Sequence, residues 1–208
     1  MKRVRLLAAV LALCCLAGCG APADGGQTAP SPSQSAPTEG SEGGESGEVP
    51  PRVLVAYFSA TGNTETLARY AAQTLGADLY KIEPEIPYTA GDLNCSDDGS
   101  RATVEMGDAA ARPAIAAQLK GMEGYDVIYL GFPIWWYLAP TIINTFLESY
   151  DFSGKVIVPF ATSGGSGMGR TNQGLQASCS GADLRAGRCF RAGASRAEPK
   201  AWADGLGL

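Results

Sequence analysis

An α/β domain built on an open parallel sheet, with helices on both faces, is the fold class this chain predicts over residues 52–208. Three observations carry that expectation. Near-continuous apolar runs recur along the chain, as in strands covered on both faces. Segments with helical spacing lie between them, and this alternation builds parallel β-α units. The first apolar run passes through a short polar turn directly into a helical pattern, so one such unit is visible from its start.

Taken in order, residues 53–56 (Val-Leu-Val-Ala) form the first strand, and 63–75 the first helix, with Leu67, Ala68, Ala71 and Ala72 on one face. Residues 77–82 alternate and complete a set of five strands with 126–132, 155–161 and the short run 188–191. A helix is expected over 113–120, with Pro113 in its first turn, where a missing N–H costs nothing. Another follows Pro140, apolar at Ile142, Ile143, Phe146 and Leu147. A fourth begins near Gly167 and covers 173–177. The last starts at Ala197 or Glu198, with Pro199 early and Trp202 and Leu206 one turn apart.

The N-terminal 51 residues stand apart from this pattern. Lys2, Arg3 and Arg5 precede an apolar run, 6–16, too short to span a bilayer. Leu16-Ala17-Gly18-Cys19 resembles a bacterial lipobox, which implies a signal peptide over 1–18 and lipidation of Cys19; an ordinary secretory signal is the alternative. Two acyl chains on that cysteine suffice for stable anchoring. The expected location is therefore the cell membrane, lipid-anchored, at the extracytoplasmic face, with the lipid as the only membrane contact. Residues 19–51 are rich in Gly, Ser, Pro and Glu and cannot bury a core, so they read as a disordered tether with a reach of ~30 Å.

The formal net charge is −5. Lys2, Arg3 and Arg5 leave with the signal, and Asp24, Glu39, Glu42, Glu45 and Glu48 lie in the tether, so the domain itself carries 13 basic and 16 acidic residues, or −3. No basic nucleic-acid surface follows from that balance. The chain contains no His, which removes Ser-His and Cys-His catalysis and most zinc sites. No catalytic residue and no metal site is expected. Cys179 and Cys189 could be bonded to each other in an oxidising compartment or remain separate thiols.

In open parallel sheets, ligands bind beyond the carboxyl ends of the strands. Three loops leave strands at that edge. The first, Ser59-Ala60-Thr61-Gly62-Asn63-Thr64, ends at a helix start, where unpaired amides and the helix dipole suit a phosphate. It contains no Lys or Arg, so dipoles and hydroxyls would do the holding. The second, Pro133-Ile134-Trp135-Trp136-Tyr137, places two indoles and a phenol directly after a buried strand. A flat aromatic ligand would stack on an exposed ring there; a partner surface is the alternative. The third, Thr162-Ser163-Gly164-Gly165-Ser166-Gly167, lets backbone amides approach a ligand closely, or is an ordinary surface loop.

Together these loops resemble the flavodoxin family, and within it the bacterial branch with Pro-Ile-Trp-Trp and Ser-Gly-Gly-Ser-Gly loops. The resemblance implies a five-stranded sheet of order 2-1-3-4-5 and one FMN. By the same resemblance, Ser59, Ala60, Thr61, Gly62, Asn63 and Thr64 hold its phosphate. Pro133, Ile134, Trp135, Trp136 and Tyr137 pack along the isoalloxazine. Thr162, Ser163, Gly164, Gly165, Ser166 and Gly167 meet its pyrimidine edge. The chain departs from the family in its small net charge and in having no Gly between Pro133 and Ala139. Residues 83–112 are longer than a minimal crossover and carry seven acidic residues against Arg101 and Arg112; a lid, an acidic docking face and a solvated connection all fit. The function implied is electron carriage between redox partner proteins. The alternative is an NAD(P)H-dependent, FMN-containing reductase of quinones or other small acceptors.

Overall fold

The computed structural model describes residues 50–207. The expected signal peptide (1–18), the expected lipidation site Cys19 and the expected tether (19–51) lie outside the described residues, apart from Pro50 and Pro51, which are exposed. The most apolar runs form the middle of the sheet. Strand β1 (Val53–Tyr57) is flanked by β2 (Asp78–Lys81) on one side and β3 (Val127–Pro133) on the other, and β4 (Val156–Ser163) lies beyond β3. All these pairings are parallel, and the path continues to β5 (Asp183–Leu184), giving the order 2-1-3-4-5.

The fifth position is split. β5 pairs with Val156 and Ile157, whereas β6 (Arg188–Arg191) pairs with the stretch from Phe160 to Ser163. The break has a chemical cause in β4. The Ile157 carbonyl accepts the Arg185 amide, so Ile157 faces the fifth position, and so does Pro159, two residues on. Pro159 has no N–H to offer, and the ladder is interrupted there.

Each face of the sheet buries its own apolar layer. Leu54, Ala56, Ile128, Leu130, Phe132, Ile157 and Ala161 point one way, packed with Ile142, Ile143, Phe146 and Leu147 of α3 (Ile142–Glu148) and Leu175 of α4 (Thr171–Leu175). Val55, Tyr57, Tyr129, Val158 and Phe160 point the other way, against Leu67, Ala68, Ala71 and Ala72 of α1 (Asn63–Leu75) and Ala203 of α5 (Ala197–Asp204). The alternation along each strand is the period of two that a pleated backbone imposes. At the start of helix α5 the Ser195 amide and hydroxyl both donate to the Glu198 carboxylate, the amide at 3.0 Å, and the Glu198 amide donates back to the Ser195 carbonyl.

One helical expectation needs correction. Residues 113–120 form no helix. Glu85 donates its amide to Ala114 O and Ala116 donates to Glu83 O, both at 2.8 Å, so this segment is stitched antiparallel to 83–85. An eight-residue helix closed by Gly121 has little stability of its own, and tertiary pairing wins. Instead, a helix forms within the long connection: α2 (Arg101–Gly107), capped by Ser100, whose side chain accepts from the Thr103 amide. An Arg101–Glu105 ion pair one turn apart supports it.

Candidate functional site

At the carboxyl edge of β1, β3 and β4 the three loops converge on one cleft of about 260 Å³. Ser59, Ala60, Thr61, Asn63 and Thr64 line its floor, Pro133, Ile134, Trp135 and Trp136 one side, and Thr162, Ser163 and Gly164 another. Among the described residues, no Asp, Glu, Lys or Arg side chain lines it.

The first loop is shaped by its own side chains. Ser59 Oγ accepts the Gly62 amide at 3.0 Å, and Asn63 Nδ2 donates to Thr61 Oγ1 at 3.3 Å. Gly62 sits at φ +89°, a left-handed conformation that a Cβ disfavours even though nothing crowds the position. From it springs α1, whose first amides have no intrahelical acceptor. Thr64 is 1% exposed, and its hydroxyl shares a 2.8 Å hydrogen bond with the buried Thr162 hydroxyl. That bond locks the first loop to the third, and either hydroxyl can be the donor. The third loop closes in the same manner as the first: Ser163 Oγ accepts the amides of Gly165 and Ser166 at 3.1 and 2.8 Å and pairs with Ser166 Oγ at 2.7 Å. Gly165, Ser166 and Gly167 thereby lie outside the lining, on the outer arm of the loop.

The indole loop is a two-residue hairpin. Trp135 and Leu138 exchange both backbone hydrogen bonds, at 3.0 and 2.9 Å, and the residues between them, Trp136 and Tyr137, both have positive φ, +45° and +64°. This is the type I′ arrangement, ordinarily occupied by Asn-Gly. Two bulky aromatic residues in it mark a strained turn. The next loop clamps it: Arg170 donates its amide to Tyr137 O at 3.1 Å, and a Cβ on Gly169 would stand 2.4 Å from that oxygen. The two indoles are thus distinguished. Both line the cleft, but Trp135 packs edge-on against Phe58 and Tyr88, whereas Trp136 remains 43% exposed. Tyr137 is 65% exposed and lies outside the lining.

Residues 83–112 supply the remaining wall. Leu93, Cys95 and Ala102 line the cleft, as does Ala192 beyond β6. No single-residue signal marks these four, because small and apolar residues carry no chemistry that a sequence pattern displays. Arg101 holds the wall together: its guanidinium donates to Ile86 O at 2.7 Å, pairs with Glu105 at 2.6 Å and covers the Tyr88 ring at 4.1 Å. Tyr88 in turn donates to Glu105; burial, and then that hydrogen bond, hold its phenol protonated well above the usual range. The three cysteines of the described residues are separate thiols. Cys95 is exposed at the cleft, whereas burial pushes the Cys179 and Cys189 thiols up.

The donor set suits a phosphorylated aromatic ligand. Amides and hydroxyls gather without a carboxylate to repel a dianion, and an exposed indole stands on the same cleft. Comparison with known proteins agrees on the lineage. The family model for flavodoxin matches residues 52–206, and the chain belongs to the flavodoxin family. It is similar to the crystal structure of a candidate flavoprotein from Bacteroides eggerthii, at 42% identity and TM-score 0.71, over 76% of this chain and 99% of that one. A candidate flavoprotein from Bacteroides uniformis is 47% identical at TM-score 0.71, over 74% and 98%. A flavoprotein crystallised with FMN from Lactobacillus acidophilus shares the fold at TM-score 0.56, with 19% identity over 74% and 99%. No curated protein matches the chain.

Proposed function

We propose that this flavodoxin-family chain binds FMN in the cleft and carries electrons between redox partner proteins. The observation that supports it most is the cation-free cage at the α1 N-terminus, set beside a solvent-facing indole. In this reading the amides of the first helical turn and the hydroxyls of Ser59, Thr61 and Thr64 hold the phosphate. Trp136 covers one side of the ring, and the amides near Thr162, Ser163 and Gly164 meet its polar edge. Bound there, FMN supplies reversible electron transfer. The chain's part is to orient the ring, keep water from one of its faces and leave the other edge open to a partner. Lipidation at Cys19 would place the site at the outer face of the cytoplasmic membrane.

Stepwise anaerobic reduction of FMN-loaded protein, followed by its visible spectrum, tests the cofactor. A flavin spectrum that remains with the protein through gel filtration and bleaches on reduction supports the reading; a colourless protein after incubation with excess FMN refutes it. Steady-state oxidation of NADH or NADPH with a quinone acceptor separates carrier from reductase. Slow turnover is expected of a carrier. Fast turnover would favour the reductase.

A further inference from the structure

We infer that the flank of the cleft formed by residues 164–170 and 191–196 is a docking surface for a redox protein with an acidic face. The inference rests on the reading of the cleft as a flavin site and adds the kind of partner that reaches it. Charge is distributed unevenly around the cleft. From 164 to 200 the chain carries Arg170, Arg185, Arg188, Arg191, Arg196 and Lys200 against Asp183 and Glu198. Arg185 pairs with Asp183, and Lys200 with Asp204. Arg170, Arg191 and Arg196 are exposed and form no ion pair among the described residues.

All three lie at the carboxyl edge of the sheet, on the side of the site. Arg170 adjoins the indole turn through its amide bond to Tyr137 O. Arg191 ends β6, and its neighbour Ala192 lines the cleft. Arg196 immediately precedes α5. Across the cleft, the wall that supplies Leu93 and Cys95 also carries Asp92, Asp97 and Asp98. Two of those carboxylates are satisfied by local dipoles, Asp92 accepting from the Thr89 amide and hydroxyl and Asp97 from the Gly99 amide, and none of the three forms an ion pair among the described residues. Each flank therefore keeps its own sign.

Protein rather than a small anion is the occupant this geometry fits. The arginines stand on separate loops around a rim and do not converge in a cavity, the hollow at Arg191 being far smaller than a nucleotide. Between them and the acidic wall, exposed Trp136 and Tyr137 supply the aromatic contact that, with arginine, typifies protein interfaces. A partner with an acidic patch beside its redox centre would settle on the basic flank and be turned away by the acidic wall, which fixes its orientation over the cleft.

The test uses the FMN-loaded full chain, reduced anaerobically and mixed in a stopped-flow instrument with oxidised plastocyanin, an acidic copper protein, or with cytochrome c, a basic haem protein. In each case one electron leaves the flavin and reduces Cu(II) to Cu(I) or Fe(III) to Fe(II). The plastocyanin rate should fall about tenfold or more from low to physiological salt, and about tenfold at low salt when Arg170, Arg191 and Arg196 are all changed to Glu. The cytochrome c rate should not fall in that variant. Triple Arg→Gln substitution should give an intermediate loss, and unchanged FMN affinity checks that each variant is folded. Amide shifts of the flavin-free chain titrated with plastocyanin should map to 164–170 and 191–196. A plastocyanin rate indifferent to charge reversal, or shifts centred on 92–98, would overturn the inference. If the chain takes up no FMN, the cofactor reading fails while the amide titration still decides the docking surface.

Discussion

Replacing Trp136-Tyr137 by Asn-Gly should make the flavin-free protein more stable and the flavin complex weaker. Both residues occupy left-handed backbone, at φ +45° and +64°, at the centre of a two-residue hairpin. That conformation costs an L-residue with a bulky side chain ~1–2 kcal/mol, so relief at two positions gives ~2–4 kcal/mol. The new glycine returns ~1 kcal/mol through the entropy of the unfolded chain. Truncating Trp136, which is 43% exposed, forfeits its buried part, another ~1 kcal/mol. Tyr137, at 65% exposure, loses little. The net is ~1 kcal/mol in favour of the folded state, or a Tm rise of ~2–4 °C for a domain of this size. Loss of the indole should raise the Kd for FMN about tenfold. Thermal melts of the apo proteins and fluorescence titrations with FMN give the two numbers. An apo Tm that falls, with the far-UV spectrum intact, would show that the aromatic turn stores no strain.

Further expectations follow from the same geometry. Gly169→Ala should destabilise the protein by ~2 kcal/mol or more in urea unfolding, because its Cβ would press on Tyr137 O and its φ is +55°; an unchanged midpoint would remove the clamp. Thr64→Val strands the buried Thr162 hydroxyl and should cost ~1–3 kcal/mol by the same measure, whereas Thr64→Ser should largely rescue it. Thr61→Ala with Asn63→Ala should weaken FMN binding by ~2–4 kcal/mol, and unchanged affinity would mean that the phosphate is held elsewhere. Maleimide should label Cys95 first in the native protein, with Cys179 and Cys189 slow because burial keeps them as thiols at neutral pH, and FMN should slow Cys95 as well. Equal labelling of all three would contradict the placement of the cleft.

Strands β1, β3 and β4 were legible because they are apolar on both faces, whereas the strand order was implied only by the resemblance of the three loops to the flavodoxin family. The split fifth strand was not legible, since the effect of Pro159 on its neighbour depends on which way that residue faces. The 113–120 segment has a helix former's composition and a favourable Pro113, yet its backbone is claimed by residues 83–85, a non-local pairing that no local pattern reports. Helix α2 left a readable trace in the Ser100 cap and the Arg101–Glu105 spacing, which the acidic composition around it obscured. Within the site, sequence named both indoles without separating them. Both line the cleft, and only the structure shows that Trp135 is held edge-on against Phe58 and Tyr88 while Trp136 is the more exposed.

The central claim is that a cage of amides and hydroxyls, with no lysine or arginine in its lining, binds the phosphate of FMN. Parallel fluorescence titrations of the flavin-free protein with FMN and with riboflavin test it most directly, since the two differ only by that phosphate. The account predicts FMN binding at least ~100-fold tighter, equivalent to two or more charge-assisted hydrogen bonds. Equal affinities, or no quenching by either flavin, would contradict it.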